Sequence, residues 1–165
     1  MPAPKTTHVE PASTRAVNIA APRPVESPHA KSAACSNGAS AETLRALGPH
    51  AVTDVTGFGL LGHLRELCAA SGVHARVTSA DLPLLPGVEA LAREGLVPGG
   101  SRRNRAAADA YTHVAGGVDP VLALLAADAQ TSGGLLAAVR PGDAGALGWV
   151  IGEIVAGPPG RITLV

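Results

Sequence analysis

Apolar residues recur along this chain with two different periods, and the changes between them mark the elements. In LLGHLRELCAASG, Leu60, Leu61, Leu64, Leu67 and Cys68 fall three and four apart. That spacing places them on one face of a helix, which Gly72 is suited to close because glycine accepts the left-handed conformation at a helix end. ASAETLRALG predicts a shorter helix, with Ser40 placed to cap it and Gly48-Pro49 to stop it. GVEALAREGL reads as a helix too, as does DPVLALLAADA, where Asp119 is a cap and Pro120 fits the first turn. HAVTDVT leans to strand through its Val and Thr, and VHARVTSA alternates as a strand should. LLAAV, IGEIVAG and RITLV read as further strands, while VPGGSRRNR reads as turns and AAADAYTHVAG as a weak helix. PGDAGALGWV suggests a helix weakened by its glycines. Helices and strands interleaved without a clean repeat predict an α+β fold, a mixed β-sheet packed with helices.

The N-terminal stretch breaks this regularity. From Met1 to about Asn37 the chain is rich in Pro, Ala, Ser and Thr, and its few apolar residues follow neither period. This predicts a disordered arm over 1–37, with no site of its own, and one globular domain over 38–165. A length of 165 residues with 46% hydrophobic content suits one domain, and 2% aromatics means that its core is built from Leu, Val, Ile and Ala. Thirteen basic residues balance thirteen acidic ones, so no net field recruits nucleic acid or an anionic membrane. Cys35 and Cys68 have neither the number nor the spacing of a zinc site or a disulfide framework, which suits a reduced, cytoplasmic protein. Cys68, on an apolar helix face, reads as an inert small hydrophobe. No apolar run approaches the roughly 20 residues that span a bilayer, so neither secretion nor membrane insertion is expected.

The richest segment is Gly57-Phe58-Gly59-Leu60-Leu61-Gly62, which fits G-x-G-x-x-G with a strand-like run before it and a helix after it. One reading is a dinucleotide-binding turn, in which free N–H groups at the helix start hold a pyrophosphate and Asp81 takes the ribose hydroxyls. Against it stand Asp54, whose charge beside the loop would repel a pyrophosphate, and the Leu82-Pro83 break just after Asp81. A plainer reading gives the glycines only tight turns and close packing.

A third reading comes from a longer pattern. Thr53 through His63, TDVTGFGLLGH, matches a block of the selenophosphate synthetases (selenide, water dikinases). Leu84-Leu85-Pro86-Gly87 resembles that family's PLLPG turn, and Val97 through Ser101 with Asn104 resembles its VPGGTxxN block. Asp128 through Leu136, DAQTSGGLL, resembles DPQTSGGLL with Ala129 in place of the proline. The likeness runs from about residue 37 to the end and covers roughly the second half of a family member.

The resemblance implies a C-terminal domain of the aminoimidazole ribonucleotide synthetase type, in an enzyme that makes selenophosphate, AMP and phosphate from ATP, selenide and water. It implies a magnesium-dependent homodimer, with Mg2+ and ATP in a site shared with an N-terminal half. Asp54 matches the family's magnesium-ligating aspartate, and a hard cation that keeps waters and takes phosphate oxygens suits one such carboxylate. The family's remaining metal aspartates, nucleotide cradle and reactive Cys or selenocysteine lie in the N-terminal half, which nothing before residue 37 resembles. The chain is therefore expected to carry no catalytic residue, Cys35 included, and to be inactive without that half, met in a homodimer or as a partner chain. His63 is expected to be packed and hydrogen-bonded, Arg102, Arg103 and Arg105 to sit on a solvated turn, and Thr131 to Gly134 to be structural. The rival from another class is a non-catalytic binding or regulatory domain of the same fold.

Overall fold

In the computed structural model, which describes residues 15–20, 42–131 and 133–165, the apolar runs become strands of one sheet. They are β1 (Arg15–Ala20), β2 (Ala51–Asp54), β3 (His74–Val77), β4 (Thr112–Val114), β5 (Leu135–Val139), β6 (Trp149–Val155) and β7 (Arg161–Leu164). The seven are ordered β2-β5-β1-β6-β3-β7-β4. Every neighbouring pair from β2 to β3 is antiparallel, and β3, β7 and β4 run parallel. The helices are α1 (42–47), α2 (Gly59–Ser71), α3 (Val88–Arg93), α4 (Gly99–Ala108) and α5 (Pro120–Leu125), with short 3-10 turns at Ser79–Asp81 and Pro141–Leu147.

Burial explains the arrangement. Leu60, Leu61, Leu64, Leu67 and Cys68 of α2 are all buried, on a main core shared with Ala75, Val77, Ile151, Ile154, Ile162 and Leu164 of the strands. Each large aliphatic side chain so placed contributes roughly 1.5–3 kcal/mol. β5 is buried on both faces: Leu136 and Ala138 join the main core, while Ala137 and Val139 join a smaller one with Leu44, Ala144 and Leu147. That double burial is why LLAAV is apolar without alternation. In β6 the register against β1 passes from Gly152 to Val150, so Ile151 is an extra residue that bulges the strand. Gly152 is a packing requirement there, since a Cβ on it would meet the Arg76 backbone.

Most predicted elements form. Gly72 closes α2 with φ 66°, and the Asp119 side chain caps α5 by accepting from the Val121 N–H at 2.8 Å. Besides PGDAGALGWV, whose expected helix is a 3-10 turn over Pro141–Leu147 with Trp149 and Val150 passing into β6, three stretches differ from expectation. VPGGSRRNR, read as turns, is the start of α4: glycine's cost in a helix is a cost of interior positions, so Gly99 and Gly100 are tolerated in the first turn, and Ser101 is fully buried. AYTHV is not helical but supplies β4, where the β-branched Thr112 and Val114 pair with β7. Within the predicted disordered arm, Arg15–Ala20 is a strand paired on both sides. The rest of 1–37, with Cys35, and the Ser40 cap lie outside the described residues. Among the described residues no helix is long and apolar enough to cross a membrane.

Candidate functional site

Three of the four matched blocks converge at the end of β2, held by hydrogen bonds between residues far apart in sequence. After Asp54 the chain leaves the sheet edge through Val55 and Thr56 and turns into α2. Val55 donates its N–H to Gly134 O at 2.9 Å and accepts from Gly133 N at 3.1 Å, while Thr56 O accepts from Gln130 N at 3.1 Å. A Cβ on Gly133 would overlap the Val55 carbonyl, so a glycine is required for the two strands of this junction to touch. From α4, the Asn104 side-chain amide donates to Gly57 O at 2.8 Å and to Ala127 O at 3.2 Å. The buried Ser101 hydroxyl donates to Asp128 Oδ1 and accepts the Ala129 N–H at 3.2 Å, and Gln130 Nε2 donates to Asp128 Oδ2 at 2.9 Å. Both oxygens of Asp128 are thus engaged within the fold. The fourth block, the Leu84–Gly87 turn, closes one side of a hollow of about 170 Å³ whose lining includes Val55, Leu60, Leu85, Asp128 and Gln130.

The glycines of the loop answer to packing. Gly59 has φ 68°, and a Cβ on it would lie 2.6 Å from the carbonyl of Ala127; one on Gly62 would lie 2.6 Å from the Phe58 Cβ. The N–H of Gly59 is given to Thr56 O and that of Leu61 to Ala126 O, at 2.9 and 3.0 Å. These helix-start donors are already spent, which corrects the dinucleotide reading. Its other requirements fail as well. β2 is an edge strand antiparallel to β5, and Asp81 lines a different hollow with Arg76 and Glu153.

Asp54 contrasts with its surroundings. Its side chain is exposed, and among the described residues no hydrogen bond or ion pair engages its carboxylate; Thr53 Oγ1 reaches only its backbone carbonyl, at 3.2 Å. A one-carboxylate position suits Mg2+, which takes one or two carboxylates and completes its octahedron with water and phosphate oxygens. Among the described residues no group of three His, Cys, Asp or Glu could hold a metal alone. His63 is half-buried, its Nε2 3.0 Å from Thr56 Oγ1 and its ring 5.7 Å from that of Phe58, which is 67% exposed. The arginines do not form one patch on a turn. They lie on α4, where Arg102 donates to Gly95 O at 3.0 Å, Arg105 pairs with Asp109, and Arg103 lies alongside Gly99. Cys68 is fully buried, and burial pushes its thiol up to about 11, so it carries almost no thiolate near neutral pH.

Sequence reasoning singled out Asp54 but left Ser101 and Asp128 without a role, and Asn104 as no more than part of a match. The one signal available was that these residues recur in separate matched blocks, which is what a shared junction produces.

Residues 39–165 match the AIR synthase related protein, C-terminal domain family, and the chain belongs to it. Among curated proteins it is similar to the selenide, water dikinase of Nitratidesulfovibrio vulgaris (strain Miyazaki F), at 45% identity over 139 residues, covering 78% of this chain and 40% of that protein. It is also similar to the selenide, water dikinase of Escherichia coli (strain K12), at 53% identity over 94 residues, covering 57% of this chain and 26% of that protein. The chain therefore spans well under half the length of these relatives. Among solved structures, Escherichia coli HypE, a hydrogenase maturation protein, matches with a TM-score of 0.51 at 22% identity, over 76% of this chain and 35% of that one. That likeness shows the fold alone.

Proposed function

We propose that this chain is the C-terminal part of a selenide, water dikinase, converting ATP, selenide and water to selenophosphate, AMP and phosphate, and that Asp54 is a Mg2+ ligand in its ATP site. The observation that carries this reading is the exposed carboxylate of Asp54, engaged by no described residue, beside a loop pinned by Asn104, Gln130 and Gly134. Phosphoryl transfer depends on positioning and on neutralising charge more than on covalent chemistry. A hydrogen-bonded junction that presents one carboxylate with no partner among the described residues serves both needs. Asp54 would hold Mg2+, which when bound would supply charge neutralisation for the transfer. The chain's own residues hold the loop and present Asp54; none is assigned a catalytic step. The remaining metal ligands and the nucleotide cradle belong to an N-terminal part lying within the relatives' length that this chain does not match. These residues are expected to be inactive without it, whether it comes as a partner half or within a homodimer. The setting is cytoplasmic, with no part for nucleic acid or membrane.

A non-catalytic binding or regulatory domain of the same fold is the second reading, favoured by the lack, among the described residues, of a complete metal cluster. Mixing separates the two. The chain is combined with the separately produced N-terminal part of a selenide, water dikinase, and selenide-dependent AMP formation from ATP is followed in Mg2+. Activity gained on mixing supports the dikinase reading. A complex that forms without activity supports the regulatory one.

A further inference from the structure

The family match begins at residue 39, yet β1, an interior strand of the sheet, is Arg15–Ala20. Without β1 the matched region would supply two separate sheets, β2-β5 and β6-β3-β7-β4, with facing edges open on β5 and β6. The gap between them is lined by main chain on both sides. β1 pairs antiparallel with β5 from Ala16↔Val139 to Ala20↔Leu135, and with β6 from Arg15↔Ile154 to Ile19↔Trp149. Each residue of β5 from Leu135 to Val139 is a register partner of β1, so removing β1 would leave the main-chain groups on that side of β5 without their ladder partners. A site of this kind binds an extended segment chiefly through its backbone and makes modest demands on side chains. Residues 21 to 41, with prolines at 22, 24 and 28, separate β1 from α1. Stretched out, that many residues reach roughly 70 Å, well beyond the width of a domain this size.

We propose that the gap between β5 and β6 is a strand-acceptor site, and that Arg15–Ala20 is its exchangeable occupant, which a second copy of this chain delivers in trans. Exchange keeps every ladder pairing of β1 and changes only which chain carries the strand, which is the low-cost route to a strand-swapped dimer. The inference is independent of Asp54 and of any metal.

The test uses the full chain in two differently tagged forms, both carrying Cys35→Ser, one with Asn18→Cys and the other with Ala137→Cys. These positions are register partners on β1 and β5, and directly opposed antiparallel residues lie within disulfide reach. Mixed at high concentration under mild oxidation, the two forms should give a reducible band at twice the chain mass containing both tags. Pairing Asn18→Cys with Leu136→Cys, whose side chain points to the other face, should give none. If Ala137→Cys alters the circular dichroism of the chain, Val17→Cys with Ala138→Cys repeats the test one step along the ladder. Exchange is overturned if mixing gives no covalent dimer while a single chain bearing both cysteines closes internally. It is equally overturned if neither arrangement forms a disulfide, since the strand then does not occupy the gap.

Discussion

Asp54 and Asp128 come from two of the matched blocks, and their carboxylates meet opposite fates. Asp128 is held by Ser101 on one oxygen and by Gln130 on the other, inside a junction that also takes in Asn104. Asp54, at the end of an edge strand, is exposed and engaged by no described residue. Similarity to a family block does not distinguish a carboxylate that ties loops together from one left open to a ligand. The hydrogen-bond inventory does, because a partly buried acceptor such as Asp128 is held by the fold while an exposed one is satisfied by water until something replaces it.

The comparison can be broken most forcefully at the junction itself. Gly59→Ala would put a Cβ 2.6 Å from the Ala127 carbonyl in a left-handed backbone. Strain of roughly 1–2 kcal/mol adds to overpacking of about 1–3 kcal/mol, and the urea midpoint should fall accordingly. Ser101→Ala is expected to cost about 2 kcal/mol, because a hydroxyl bridging Asp128 and the Ala129 N–H is lost from a fully buried position. A neutral result there would mean that Ser101 does not hold Asp128. Asn104→Ala removes two bonds to backbone carbonyls, one of them to the exposed glycine loop, and should cost about 1 kcal/mol. The smallest effect sharpens the contrast: Asp54→Asn should change thermal stability by less than about 0.5 kcal/mol.

Local patterns made part of this molecule legible. The three-and-four spacing of Leu60, Leu64 and Leu67, the stop at Gly72 and the Asp119-Pro120 start of α5 all depend on neighbours in sequence, and all formed as read. α4 was missed because Gly99-Gly100-Ser101 carries a turn-like composition, whereas the helix is secured by Ser101 and Asn104 reaching residues more than twenty positions away. β4 is three residues long and exists through its pairing with β7. β1 has the same origin: RAVNIA has no period that marks it as a strand, and only the flanking edges of β5 and β6 make it one. The location of Asp54 could be read from the TDVTGFGLLGH block. Its freedom from the junction could not, since that depends on where Gln130, Gly133 and Gly134 fold back.

The most direct test of Asp54 as a metal ligand is a titration with Mn2+, a paramagnetic stand-in for Mg2+ with the same preference for oxygen ligands, of the chain combined with the separately produced N-terminal part of a selenide, water dikinase, followed by amide line broadening in the presence of ATP. Amides of residues 53 to 57 should broaden first, and Asp54→Asn should abolish that selectivity without altering the rest of the spectrum. Broadening centred elsewhere, or unchanged in Asp54→Asn, would contradict the account.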